Sequence, residues 1–167
     1  LDQDVTIYQI AESGSENETI QKLLERYEGL SSHVKVENMD PVLHPNFVSE
    51  YTDDDLASNS LIVVGENRSK VIPYADMFES TINYQTYQYE TTGFDGEGQV
   101  TSAISYVTTD SLPVMYTITG HEEATMTDDM KSAIEKENIE MKDLNLLIEE
   151  SVPDDADCVM LFSPQND

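Results

Sequence analysis

A histidine beside two carboxylates is the densest concentration of chemical capacity in this sequence. His121, Glu122 and Glu123 follow Gly120, directly after the alternating run VMYTIT at 114–119, which reads as a β-strand. Open α/β sheets gather their ligands at the carboxyl ends of their strands. An imidazole at such a place, oriented by a carboxylate, has the makings of a general base, and two of the three residues could ligate a metal. The surroundings argue for a plainer role. No G-x-S-x-G elbow supplies a nucleophile, and positions 121–125 read His-Glu-Glu-Ala-Thr rather than H-E-x-x-H. His121 is therefore expected to be a loop residue that caps or hydrogen-bonds the helix after it, with no catalytic residue and no bound cofactor or metal.

A second candidate is aromatic. Tyr84, Tyr87 and Tyr89 are interleaved with Gln, Thr and Glu in 81–95, and Gly93 and Gly96 follow. Ring faces with polar rims suit a glycan or a peptide. The more ordinary reading is an extended connecting segment whose tyrosines pack between domains or line an edge strand. Gly93, Gly96 and Gly98 lack the spacing and the following Lys of a phosphate loop. His33 and His44 sit in polar loops and are expected to be solvated. Cys158 stands alone, which forbids an intrachain disulfide, and the run CVMLF around it predicts a buried structural thiol. Asp53, Asp54 and Asp55 are adjacent, unlike a calcium loop, and are expected to open a helical turn.

The elements that must position these groups follow from pattern. In the first part, 5–11 is a β-branched, alternating strand. Ser15 and Glu18 have the spacing of a capping box, and Ile20, Leu23, Leu24 and Tyr27 form the apolar face of the helix it would start, with Gly29 at its end. A strand at 34–39 ends at Asp40-Pro41. A short helical piece lies near 46–51, a hairpin joins 60–65 to 70–74, and a short helix opens at 75–79. The order β-α-β-α-β-β-α over 1–80 is thioredoxin-like. Where that fold carries its C-x-x-C, this chain reads Glu-Ser-Gly-Ser-Glu-Asn at 12–17, so thiol–disulfide chemistry is excluded.

A Tyr-rich connecting segment spans 81–97. The remaining residues, 98–167, read as the start of an open α/β domain. Its helix carries Val100, Ala103, Ile104 and Val107 on one face. Strand 114–119 follows, then a helix at 127–137 with Met130 and Ile134 inward, a strand at 141–147 and a last strand at 156–162.

Composition removes several function classes. Against 34 Asp plus Glu stand 8 Lys plus Arg, a formal net charge of -26. A nucleic-acid partner needs the cations this chain lacks, and an anionic membrane surface would repel it. The plainest meaning of the charge is a solvated acidic surface. No stretch approaches the length of a transmembrane helix. The start at Leu1 shows neither an initiator Met nor a signal peptide, and the expectation is a piece of a longer protein.

Five segments together carry a resemblance: VKVENMDP at 34–41, LIVVGENRSKVIPYADMFE at 61–79, GQVTSAISYV at 98–107, VMYTITGHE at 114–122 and VPDDADCVMLFSP at 152–164. With them the chain resembles the gliding-motility-type auxiliary components of ABC transporters over nearly its whole length. The resemblance implies an extracytoplasmic region of a membrane-anchored protein, associated with an ABC permease and ATPase. It implies a thioredoxin-like first part, then a glutamine-amidotransferase-like α/β part that is partial within this chain. The implied role is binding or scaffolding rather than catalysis. The alternatives are a glycan- or peptide-binding module using the tyrosines and the His121 loop, and a hydrolytic or metal enzyme centred on His121.

Overall fold

The computed structural model describes residues 1–85, 87–120, 122–149 and 151–163, with Tyr89 described in its backbone alone. The chain is α/β, and it divides into two compact units, Leu1–Thr108 and Thr109–Asp167.

In the first unit, β1 (Val5–Ile10) is the inner strand on which the rest is built. It pairs in parallel with β2 (Val34–Met39) and antiparallel with β3 (Ser60–Val64), which pairs antiparallel with β4 (Ser69–Ile72). The sheet order is β2-β1-β3-β4. Parallel pairing of β1 and β2 demands a crossover, and the helix α1 (Glu18–Leu30) supplies it. Alternation then sorts the side chains. Val5 and Ile7 of β1 share a face with Leu61 and Val63 of β3, and that face is buried against Ile20, Leu23 and Leu24 of α1. A second helix, α2 (Gly96–Thr108), covers the same core with Val100, Ala103, Ile104 and Val107. The sequence pattern had placed this helix at the head of the second part. In the structure it belongs to the first unit, because its apolar face has the β3–β4 side of that sheet to cover.

Ile10 and Ile62 point to the opposite face and are also buried. There Tyr8 meets the ring of Phe47, centroids 4.8 Å apart, and Phe47 meets Tyr51 at 5.2 Å. These rings flank a 3-10 turn at Val48–Glu50, which is all that forms of the helical piece expected at 46–51. Asp53, Asp54 and Asp55 open no helical turn; like charges in succession gain nothing without a helix to follow. Another 3-10 turn, Tyr74–Met77, buries Met77 and leads into β5 (Phe78–Asn83). The expected connecting segment is in fact a hairpin: β5 pairs antiparallel with β6 (Gln88–Phe94) through a bulge at Glu79/Ser80.

The start of α1 also differs in detail from its pattern. Asn17, not Ser15, is the N-cap, and its side chain accepts from the N–H groups of Thr19 and Ile20 at 2.9 and 3.2 Å. Ser15 is occupied otherwise, since its carbonyl accepts the Asn59 amide at 3.2 Å.

The second unit is a three-stranded parallel sheet, order β8-β7-β9, from β7 (Val114–Thr119), β8 (Glu140–Asn145) and β9 (Cys158–Met160). Helix α3 (Asp128–Lys136) connects β7 to β8, capped by the Thr127 hydroxyl accepting from Met130 N–H. Val114, Tyr116, Ile118 and Leu144 make its small core. Two expectations fail at the margins. Met130 is exposed rather than inward. Cys158 is exposed rather than buried, because β9 is an outer strand of three residues whose first position has no cover among the described residues.

Gly65, in the β3–β4 turn, marks how closely α2 approaches. A Cβ built there would lie 2.7 Å from the Val107 carbonyl oxygen and 2.9 Å from Val107 Cβ. Helix backbone cannot yield as a side-chain tip can. Gly65→Ala is expected to destabilise the first unit by about 1–3 kcal/mol, read as a lower denaturant midpoint, as overpacking in a close contact does.

Candidate functional site

The loop between β1 and α1 lies at the carboxyl end of the inner strand, the position where α/β sheets hold ligands. Its own residues bind it down. Ser13 donates to Asp40 Oδ2 from both its N–H (3.0 Å) and its hydroxyl (2.9 Å). Gly14 N–H donates to Glu16 at 2.8 Å, and the Asn38 amide donates to the same carboxylate at 2.6 Å.

Asn59 closes the lattice from the other side. Its side-chain oxygen accepts from the buried Gln9 amide (2.8 Å) and from Asn17 N–H (2.7 Å), while its nitrogen donates to the Ser15 carbonyl. Asn59 has φ of 69°, a left-handed backbone that Asn tolerates better than most residues. That bend lets its N–H reach the Ile10 carbonyl at 2.6 Å just before β3 begins.

Beside this loop is a cleft of about 440 Å³. Ile10, Val48, Leu56 and Pro41 give it apolar walls, and Glu12, Asp54 and Asp55 bring carboxylates, with no Lys or Arg in the lining. Its polarity suits a cation-bearing group. Among the described residues, no cluster of His, Cys, Asp and Glu has the arrangement of a metal site. The sequence had offered the run Asp53–Asp54–Asp55, but the place of Asp54 and Asp55 in one wall of a cleft depends on Pro41 and Val48 arriving from elsewhere.

The predicted candidates fall in two places. Tyr84 and Tyr87 occupy the turn of the β5–β6 hairpin, 80% and 83% exposed. The side chain of Tyr89 lies outside the described residues; its backbone pairs with Ile82. In the second unit, His121 lies outside the described residues. Glu122 follows with φ of 54° and is exposed, and Glu123 is half-buried. Gly120 just before has φ of 115°, and a Cβ there would come within 2.7 Å of Asn145 Oδ1, so this turn at the carboxyl end of β7 requires glycine. His33 Nδ1–H donates to Asp4 Oδ1 at 2.8 Å, and His44 is exposed.

Pattern reading missed one cluster altogether. The Tyr116 hydroxyl donates to Asp155 Oδ1 at 3.0 Å, and Lys142 Nζ donates to Asp155 Oδ2 at 2.9 Å. Lys142 also lies 3.5 Å from Glu140 and 5.7 Å from the centre of the Tyr116 ring. Burial, then the Asp155 hydrogen bond, pushes the Tyr116 phenol up. The bond from Lys142, then that from Tyr116, holds the Asp155 carboxyl below the ordinary carboxylate value of 3.8, and the same bond to Asp155 raises Lys142. Asp40 is held down likewise by the N–H groups of Ser13 and Val42. Neighbouring Asp157 accepts Val114 N–H at 2.8 Å through its side chain and donates its own N–H to Val114 O at 2.9 Å. These aspartates pin the approach to β9 onto β7. No signal in the sequence pairs positions 116, 142 and 155, since each lies in a different element.

No family model, no curated protein and no solved structure matches the chain.

Two expectations follow from these lattices. Asn59→Gly keeps the left-handed backbone accessible but removes the amide, leaving the buried Gln9 side chain unpartnered. It is expected to lower stability by about 1–3 kcal/mol in chemical denaturation. Asp155 has a depressed folded pKa, so its contribution is present above 3.8 and lost as the pH falls below that value. The melting temperature of Asp155→Asn is therefore expected to depend less on pH below 3.8 than that of the wild type, measured by calorimetry across pH 2–6.

Proposed function

We propose that this chain is a non-catalytic binding or scaffolding domain of the extracytoplasmic region of a membrane-anchored ABC-transporter auxiliary protein, working beside an ABC permease and ATPase. The observation that carries the reading is the β1–α1 junction in a sheet of order β2-β1-β3-β4. In a thioredoxin-like unit this junction is the reactive one. Here the Ser13 hydroxyl and the Glu16 carboxylate are bonded to Asp40 and Asn38, and the Asn17 backbone N–H donates to the Asn59 side chain. Such groups hold a loop in one shape; they offer no thiol to exchange.

The segments that carry the sequence resemblance also have framework duties. The run at 34–41 supplies β2 and Asp40, the run at 98–107 supplies the helix face that covers the first core, and the run at 152–164 supplies Asp155 and Asp157. A family signature made of such positions supports a shared scaffold more than a shared active centre. The outer edge of β9 has no partner strand among the described residues, which suits a sheet that is partial within this chain. Among the described residues, no helix is long and apolar enough to cross a membrane. The exposed tyrosines at the hairpin turn favour, as a second reading, a peptide- or glycan-binding module.

The deciding experiment is affinity purification of the full-length parent protein from gently solubilised native membranes, with mass spectrometry of what accompanies it. Reproducible recovery of an ABC permease and ATPase is expected. Recovery of the parent alone, under conditions that keep other ABC complexes intact, would overturn the proposal.

A further inference from the structure

Strands β5 and β6 form a sheet of two, and among the described residues neither pairs with a third strand. A hairpin on its own is marginal in water, so this one depends on its base. There the rings of Tyr74, Phe78 and Phe94 pack in succession in tilted contacts, centroids 4.7 and 5.1 Å apart, and Asp95 N–H donates to the Met77 carbonyl at 2.9 Å. The ladder then runs outward to the pair Asn83–Gln88, where the turn carries Tyr84 and Tyr87.

Folding has no use for these two side chains. Both rings are about four-fifths exposed, so neither adds to the core. Tyr87 also has φ of 54°, where a bulky residue is disfavoured and Gly or Asn is at ease. A large ring held in water on a disfavoured backbone is what a recognition residue looks like, and Tyr is among the residues that dominate binding energy at protein interfaces.

Charge specifies the partner. From Val71 to Met130 the chain has no Lys or Arg. Along the hairpin and its base lie Asp76, Glu79, Glu90 and Asp95, and the Glu90 carboxylate accepts the Asn83 amide at 2.7 Å, which holds it next to the turn. Two exposed π faces in the turn, and a carboxylate tied to Asn83 at the last ladder pair before it, match a guanidinium. Its flat face stacks on an aromatic ring and its N–H edge bonds a carboxylate, whereas a Lys ammonium is a compact, strongly hydrated point charge that pays more to lose its water. A neutral sugar would use the rings and leave the carboxylate unused.

We propose that the turn of the β5–β6 hairpin is a docking point for an extended, arginine-bearing segment of a partner protein. Tyr84 and Tyr87 take the guanidinium faces, and Glu90 takes a guanidinium edge. This assignment does not depend on the transport-complex reading and is tested on the chain by itself.

The test is a calorimetric titration of the purified chain with a short peptide of alternating Arg and Gly, and with its Lys counterpart. With the double variant Tyr84→Ala/Tyr87→Ala the net charge is unchanged, so diffuse attraction to the acidic surface persists while the rings are gone. The Arg peptide is expected to bind the wild type about tenfold tighter than the Lys peptide, as cation–π contacts allow. That preference should vanish in the Ala variant and survive in Tyr84→Phe/Tyr87→Phe, which keeps the ring faces. Equal affinities for the two peptides, or an Arg preference untouched by the Ala variant, would overturn the proposal. So would loss of the preference in the Phe variant, or binding of a neutral oligosaccharide that the Ala variant alone abolishes.

Discussion

The side-chain amide of Asn59 is the fastening on which the first unit depends. Three chain segments converge on it: the end of β1 through Gln9 and Ile10, the entry to α1 through Ser15 and Asn17, and the start of β3 through its own backbone. A buried Gln amide in a strand is costly unless satisfied. Asn59 satisfies it and, by the same bonds, sets where α1 begins. That is why the helix starts at the Asn17 cap rather than at the Ser15–Glu18 box. The left-handed turn at Asn59 also aligns β3 antiparallel to β1, and the register that follows puts Leu61 and Val63 beside Val5 and Ile7 in the core. A loop fixed this firmly gives the cleft beside it preformed walls, which lowers the ordering cost of anything that enters.

The second unit is held by a different balance. Its apolar core is small, and α3 contributes no buried residue. Polar ties carry more of the specification. Asp155 accepts from Tyr116 and Lys142 at once, and Asp157 brackets Val114 with a side-chain and a backbone bond. These contacts fix β9 in parallel register on β7 although its ladder spans only Cys158–Met160. Val159 in the outer strand and Leu161 just after it are about half exposed. Parallel sheets are normally covered on both faces, so this edge is the least finished surface of the unit.

Net charge colours everything that happens at the surface. An excess of carboxylates this large repels anionic partners and gives long-range attraction for cationic ones. Such attraction raises encounter rates without choosing a partner. Choice has to come from shape, and two places that offer it are the cleft beside the β1–α1 loop and the aromatic turn of the β5–β6 hairpin. Both combine apolar surface with carboxylates.

Periodicity alone determined the α/β class, the helices at Glu18–Leu30 and Gly96–Thr108, the strands of the first sheet and the β7-α3-β8-β9 order, because each rests on spacing within one element. The sequence also settled that positions 12–17 hold no thiol, since composition needs no coordinates. Tertiary structure decided the rest. Which unit claims α2 depended on a sheet face tens of residues away in the chain, and the close approach at Gly65 records that choice. Residues 81–95 looked like a connector because a hairpin with both faces wet lacks the alternation that marks a half-buried strand. The exposure of Cys158 followed from being at the edge of a sheet, a fact of strand order that no local pattern contains. The Asn59 lattice and the Tyr116–Asp155–Lys142 tie were equally out of reach, because a hydrogen bond between distant positions leaves no periodic trace in a single sequence.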